Sequence, residues 1–407
     1  MSLTTTQGDG GVPHDRSKVG EGVHAISVTA EGKLAALPGP IIGADTLQNP
    51  AYLTILKRSD AACRPDALRR GGLCVVSELA EGSFQAFAIQ WEGSEVKAKA
   101  VGSRVDSGGQ YPCHITSHEN VGDNMEVISV CNYGDTEGVL ALFGNNSAVG
   151  NPYIQHVRIA YGQGSKIDFA RQATSHAHSS EFTAGPSLSK KNLCVLDLGS
   201  DKLISYSLST RVSGDHNTLE CTEQSCHGAP PGTGPRSIMF NPMYENIAVL
   251  SLEMSAQILL VKRKGDGSFV NLFEPISLLP AGWPSESSSE AKYNGGKWAS
   301  DAVFSPCGRF LYAAARLHNS ISVFELKMSA EDSVQGIDLV QRIPTEGLTP
   351  RCLCVPECGS FILVAHQHSH EITSFSISKD DGRLELVDRL EFPNAACVKL
   401  VRRDMIG

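Results

Sequence analysis

Residues 298–326, WASDAVFSPCGRFLYAAARLHNSISVFEL, decide the fold. Three short apolar runs, DAVF, FLYAAA and ISVFEL, are separated by Ser-Pro-Cys-Gly and by a polar gap. Apolar runs of this length bounded by Gly, Pro, Asn and Asp read as β-strands, and Gly in the first turn can accept a left-handed backbone. The same grammar returns at 349–377, TPRCLCVPECGSFILVAHQHSHEITSFSI, and precedes it at 234–261, GPRSIMFNPMYENIAVLSLEMSAQILLV. Further upstream lie SHAHSS with NLCVLDLGSDKLISYSL, PCHI with MEVISVCNYGDTEGVLALF, and NPAYL with GGLCVVSELAEGSFQAFAI.

Six copies recur at roughly 50–60 residues, a period that marks propellers. GVHAISVTAEGKLAAL, 22–37, supplies two strands of a seventh, and NAACVKLVRR, 394–403, could close the ring by pairing with that first blade. Closure removes exposed sheet edges. The expected fold is therefore all-β, a seven-bladed β-propeller closed by its N- and C-terminal segments. Residues 1–19 are expected to be a flexible segment and 20–407 a single domain, because composition does not shift across loops such as HGAPPGTG. Two stacked β-sandwiches would also give short strands, but would not require the repeat.

Charged residues make up 19% of the 407-residue chain and the net charge is −9, so no global field gathers nucleic acid or anionic membrane. No basic, aromatic-laced stretch suggests nucleic acid, and no run approaches the ~18 apolar residues of a membrane span. The polar start, MSLTTTQGDGG, lacks the apolar core of an export signal, so the cytosol is the expected location. Most of the 12 cysteines sit singly in apolar runs and read as reduced core thiols. Cys352, Cys354 and Cys358 with His366, His368 and His370 match no common zinc spacing, nor do Cys221, Cys226 and His227. No metal or cofactor is expected. The absence of Gly-x-Ser-x-Gly argues against a serine hydrolase, and HGAPPGTGPR lacks the Lys-Ser of a phosphate loop.

In the order and spacing of NPAYL, PCHI with VCNYG, SHAHS with DLGSDKLISY, GPRSIMFNP with SLEMS, and the two stretches from 298 and 349, the chain resembles the lactonase-type 6-phosphogluconolactonases, a family that includes carboxymuconate-lactonizing enzymes. The resemblance runs from about Asn49 to Phe375. It implies seven blades and places His178 at the family's catalytic histidine, with Arg236, Glu253 and Arg316 completing the catalytic set. Arg236 and Arg316, with His114 and Gln367, are candidates for binding substrate. A propeller histidine such as His114 or His118 more often packs a strand. Ala177, Ser237 and Ala315 stand where the family often has Pro, His and Asn.

The residue types suit lactone opening. A histidine can take and return a proton near neutral pH, and a glutamate can orient it or share the proton transfer. Arginine keeps its proton, so Arg236 and Arg316 suit an anion and the charge developing at a carbonyl oxygen. Two arginines at one mouth imply a small anionic substrate. The resemblance gives 6-phospho-D-glucono-1,5-lactone, hydrolysed to 6-phosphogluconate in the pentose phosphate route, as the expected substrate. A cyclase acting on a carboxylated muconate and a non-catalytic binding scaffold are the alternatives.

Overall fold

The computed structural model describes residues 2–6, 22–56, 68–69, 71–93, 95–121, 125–145, 153–187, 190–213, 216–283, 297–329 and 333–402. They form seven sheets in which every strand pair is antiparallel. The stretch that opened the sequence analysis folds as Ala299–Phe304, Phe310–Ala315 and the body of Ser320–Met328, and Val334–Pro344 follows as the fourth strand of the sheet, each strand beside the next. Its turn carries Gly308 at φ 69°, and the equivalent turn at 356–359 carries Gly359 at φ 65°.

The first strands of successive sheets neighbour one another around the molecule. They are Pro50–Leu56, Pro112–Val121, Ala177–Ser187, Pro235–Phe240, Ala299–Phe304, Pro350–Cys354 and Ala395–Leu400, and the last packs beside the first. The sheet holding Ala395–Leu400 continues through Ser2–Thr6, Gly22–Val28 and Leu34–Gly43. The C-terminal strand therefore pairs with Ser2–Thr6, from the segment expected to be flexible, rather than directly with Gly22–Val28. Of that segment, residue 1 and residues 7–19 lie outside the described residues.

Second strands such as Gly72–Ser77, Met125–Asn132, Ile247–Leu252, Phe310–Ala315 and Phe361–His366 are buried at every position. Each is covered on both faces by neighbouring sheets, which is why most of them read as apolar runs, although Met125–Asn132 also buries Glu126, Ser129 and Asn132. The fourth strands, such as Val334–Pro344, are half-exposed and correspondingly polar. The core lies between sheets: Tyr312, Val323, Ile362, Val364 and Phe375 form one such layer, and Phe84 meets Phe143 edge-on at 4.9 Å in another. Burying one such aromatic contributes about 1.5–3 kcal/mol.

Candidate active site

Five inner strands carry a β-bulge at the same place. Pairing with the second strand skips from Pro50 to Tyr52, Pro112 to His114, Ala177 to Ser179, Pro235 to Ser237 and Pro350 to Cys352. The skipped residues are Ala51, Cys113, His178, Arg236 and Arg351. A bulge re-aims its extra side chain, and an opening proline has no N–H to lose from the ladder. His178, Arg236 and Arg351 are thus the same structural position on three different blades.

A second tier comes from the residue that follows each second strand: Glu78, Tyr133, Glu253, Arg316 and Gln367. Each backbone N–H donates to a carbonyl on its own blade's opening loop, at Asn49, Tyr111, Gly234, Trp298 and Thr349, over 2.7–3.1 Å. One repeated hydrogen bond therefore sets each of these turns beside the opening of its own blade.

These tiers meet at Glu253, only 2% exposed. Its Oε2 accepts from Arg236 Nη1, with Arg316 Nη1 at 3.6 Å, and its Oε1 accepts from Arg171 Nη2 at 2.7 Å. Arg236 Nη1 also donates to His178 Nε2 at 2.8 Å. The four residues that sequence reasoning assigned to catalysis are thus in one contact network. Burial would raise the Glu253 carboxyl, but Arg236, Arg171 and Arg316 outweigh it and hold it well below the usual range. Burial, reinforced by Arg236, keeps His178 well below an ordinary histidine, so it is neutral. Burial and Arg236 also bring Arg316 down to about 9, which leaves it cationic at neutral pH.

One carboxylate faces three guanidiniums, and Arg316 Nε is buried with no hydrogen-bond partner among the described residues. Arg171 and Arg316 both lie over the Trp298 ring, at 5.3 and 4.9 Å from its centroid. Such a cluster has an excess of positive charge and unspent donors. The two further binding candidates sit differently. Gln367 Oε1 accepts from Arg351 Nη1 at 3.0 Å, and Arg351 approaches Glu78 at 3.9 Å. His114 makes no contact with Glu253; its ring is 4.5 Å from that of Tyr52 and its Nδ1 accepts from the Ser180 N–H at 3.5 Å. No group of three or more His, Cys, Asp or Glu poised for a metal occurs among the described residues.

Arg171 was not legible as a site residue. It lies on a short helix, Phe169–Gln172, in the loop between two blades, and Asp168 caps the Ala170 and Arg171 N–H groups. Gln172 Nε2 donates to Asp201 Oδ1, which also accepts from the Gly234 N–H, so one carboxylate ties the Arg171 loop to the loop that opens into Arg236. Gly199 allows this close approach, because a Cβ there would sit on the Thr174 carbonyl oxygen. We expect Gly199→Ala to cost about 1–3 kcal/mol in chemical denaturation, as an overpacked site does. A wild-type midpoint would contradict that packing.

A family profile described as lactonase, 7-bladed beta-propeller, matches residues 10–400. The chain belongs to this lactonase family. Among its relatives, the 6-phosphogluconolactonase of Bacillus subtilis (strain 168) is 24% identical over 384 residues, covering 94% of this chain and 95% of that protein. The 6-phosphogluconolactonase of Formosa agariphila is 27% identical over 372 residues, covering 90% and 92%. The periplasmic gluconolactonase of Pseudomonas aeruginosa superposes with a TM-score of 0.73 at 23% identity, covering 98% of each chain. A Lactobacillus plantarum protein does so at 0.72 and 23%, covering 98% and 99%; both share the fold of this lactonase-family chain. No helix among its described residues is long and apolar enough to cross a membrane.

Proposed function

We propose that this chain hydrolyses a small anionic aldonolactone, first of all 6-phospho-D-glucono-1,5-lactone, to the open acid. The observation that carries the proposal is the excess of guanidinium over carboxylate beside a neutral, buried histidine. Family membership and the 6-phosphogluconolactonases among the relatives support the same substrate class. Residues 20–407 together with Ser2–Thr6 act in this reading as one domain, a ring closed through the sheet in which Ser2–Thr6 lies between Gly22–Val28 and Ala395–Leu400.

Water attacks the lactone carbonyl carbon, and His178 Nε2 takes the water proton. That lone pair accepts from Arg236 Nη1 at 2.8 Å. Activation therefore requires Arg236 to turn its Nη1 toward the carbonyl oxygen, where it steadies the developing charge. Glu253 retains Arg236 during that exchange. The tetrahedral intermediate then collapses, the ring C–O bond breaks, and His178 returns the proton to the departing ring oxygen. The product acid ionises in water. An aldonolactone is reactive enough for positioning and electrostatics to suffice.

The test is acid release from phosphogluconolactone by the purified protein, corrected for the enzyme-free rate, beside a carboxylated muconate followed by its absorbance. Turnover of the muconate alone would replace hydrolysis by the cyclase reading, and turnover of neither would leave a binding scaffold. The pH profile adds a second check. His178 is held below 6.5 by burial and then by Arg236. It therefore stays a competent base as pH falls through 6.5, and the acid limb of kcat/KM is expected below that value. A limb above 6.5 would contradict His178 as the base in this environment.

A further inference from the structure

Three arginines share Glu253, but they are not equivalent. Arg236 and Arg316 project from the ends of strands and are 10% and 6% exposed in their side chains, whereas Arg171 comes from an inter-blade loop and is 26% exposed. Arg236 bonds His178 and so belongs with the reacting carbonyl. Among the described residues Arg171 makes no contact with His178; besides Glu253 it reaches the Tyr133 hydroxyl, at 3.5 Å, and the Trp298 face. Of the three guanidiniums, Arg171 is the one that water, and so an incoming anion, reaches most freely.

We propose that Arg171 is the specificity-determining residue of this site, the guanidinium that takes the anionic group a substrate carries away from its lactone carbonyl. The inference rests on the lactonase reading above and adds a division of labour to it. The guanidinium fork matches phosphate or carboxylate oxygens in two-point contact, which a lysine cannot reproduce. Its backbone is already fixed by Asp168 and by the Gln172–Asp201 bond, so capture requires side-chain movement only. Trp298, shared with Arg316, keeps the guanidinium plane beside the mouth as it changes partner from Glu253 to the ligand.

The experiment compares wild type, Arg171→Ala and Arg171→Lys on 6-phosphoglucono-1,5-lactone and on uncharged glucono-1,5-lactone, and titrates each protein calorimetrically with 6-phosphogluconate. Thermal melts establish that the variants are folded, and the lysine variant serves where alanine is not. Losing a charge-assisted contact should raise KM for the phosphorylated lactone about 10–100-fold, with kcat the less affected parameter. The ratio of kcat/KM values, phosphorylated over neutral, should fall at least about tenfold, and 6-phosphogluconate should bind more weakly by a similar factor. Lysine should restore part of both. Equal losses on the two lactones would make Arg171 merely structural and overturn the inference, as would unchanged binding of 6-phosphogluconate. Should wild type hydrolyse neither lactone, the lactonase reading fails. The titration still decides Arg171 in that case: weaker binding by the variant supports it, and equal binding or none by wild type overturns it.

Discussion

Hydrolysis of 6-phosphogluconolactone by the His178→Asn protein is expected to fall about 10²–10⁴-fold in kcat, the usual worth of a positioned general base. Asparagine can still accept from Arg236, so the bulge, the ion pairs and the fold should survive, and a melting curve would establish that. What it cannot do is hold the proton of the attacking water and return it to the ring oxygen. The neighbouring His176 is no substitute. Its ring is stacked on Tyr133 at 4.1 Å and its Nδ1 lies 3.0 Å from the Tyr133 carbonyl, so it is committed to the protein. The lactone opens unaided in water, so only the rate above the enzyme-free blank is informative. A loss below tenfold would remove His178 from proton transfer and leave the arginines as the whole catalyst.

Glu253→Gln is the second large effect, and it falls on stability as well as rate. The carboxylate is the shared partner of Arg171, Arg236 and Arg316 in a buried site, and its amide replacement leaves three cations facing one another. Removing one partner of a buried ion pair typically costs about 3–5 kcal/mol, and chemical denaturation at neutral pH should read a loss of that order. The pH dependence has a definite sign. Because the folded Glu253 carboxyl is held well below 4.5, its contribution is complete above that value and is lost only as pH falls through the lower, folded one. The gap between wild type and variant should therefore persist down to pH 4.5 and close below it. Added phosphate should stabilise the variant more than the wild type, since an anion that binds only the folded protein refills the vacant charge. A variant as stable as wild type would mean that the three arginines are not held by Glu253.

Much of the site could be found along the chain because the blades repeat. His178, Arg236, Glu253 and Arg316 each stand in a recurring slot, either at the bulge or just after the second strand. Arg351 stands in the same slot as Arg236, and Thr-Pro-Arg at 349–351 repeats the Gly-Pro-Arg of 234–236. That repetition was a usable signal for a further guanidinium at the mouth. Tyr133, in VCNYG, likewise occupies the slot of Glu253. Arg171 had no such signal, because inter-blade loops differ in length and sequence from copy to copy. Its only local mark is Asp168, which caps the short helix that carries it.

By itself the sequence determined most of the strands, their turns and six of the repeats, because apolar alternation and turn formers act over a few residues; the seventh sheet, which includes Ser2–Thr6, came from the tertiary structure. It also determined which residue types occupy the equivalent slots. Only the tertiary structure decided that Glu253 would be divided among three arginines, that Arg236 would occupy the lone pair of His178, and that Trp298 would lie beneath two guanidiniums. Glu253–Arg236 and Trp298–Arg316 lie within a blade, but Arg236–His178, Glu253–Arg316 and the contacts of Arg171 cross between blades. They depend on where the closing of the ring brings segments that no local pattern connects.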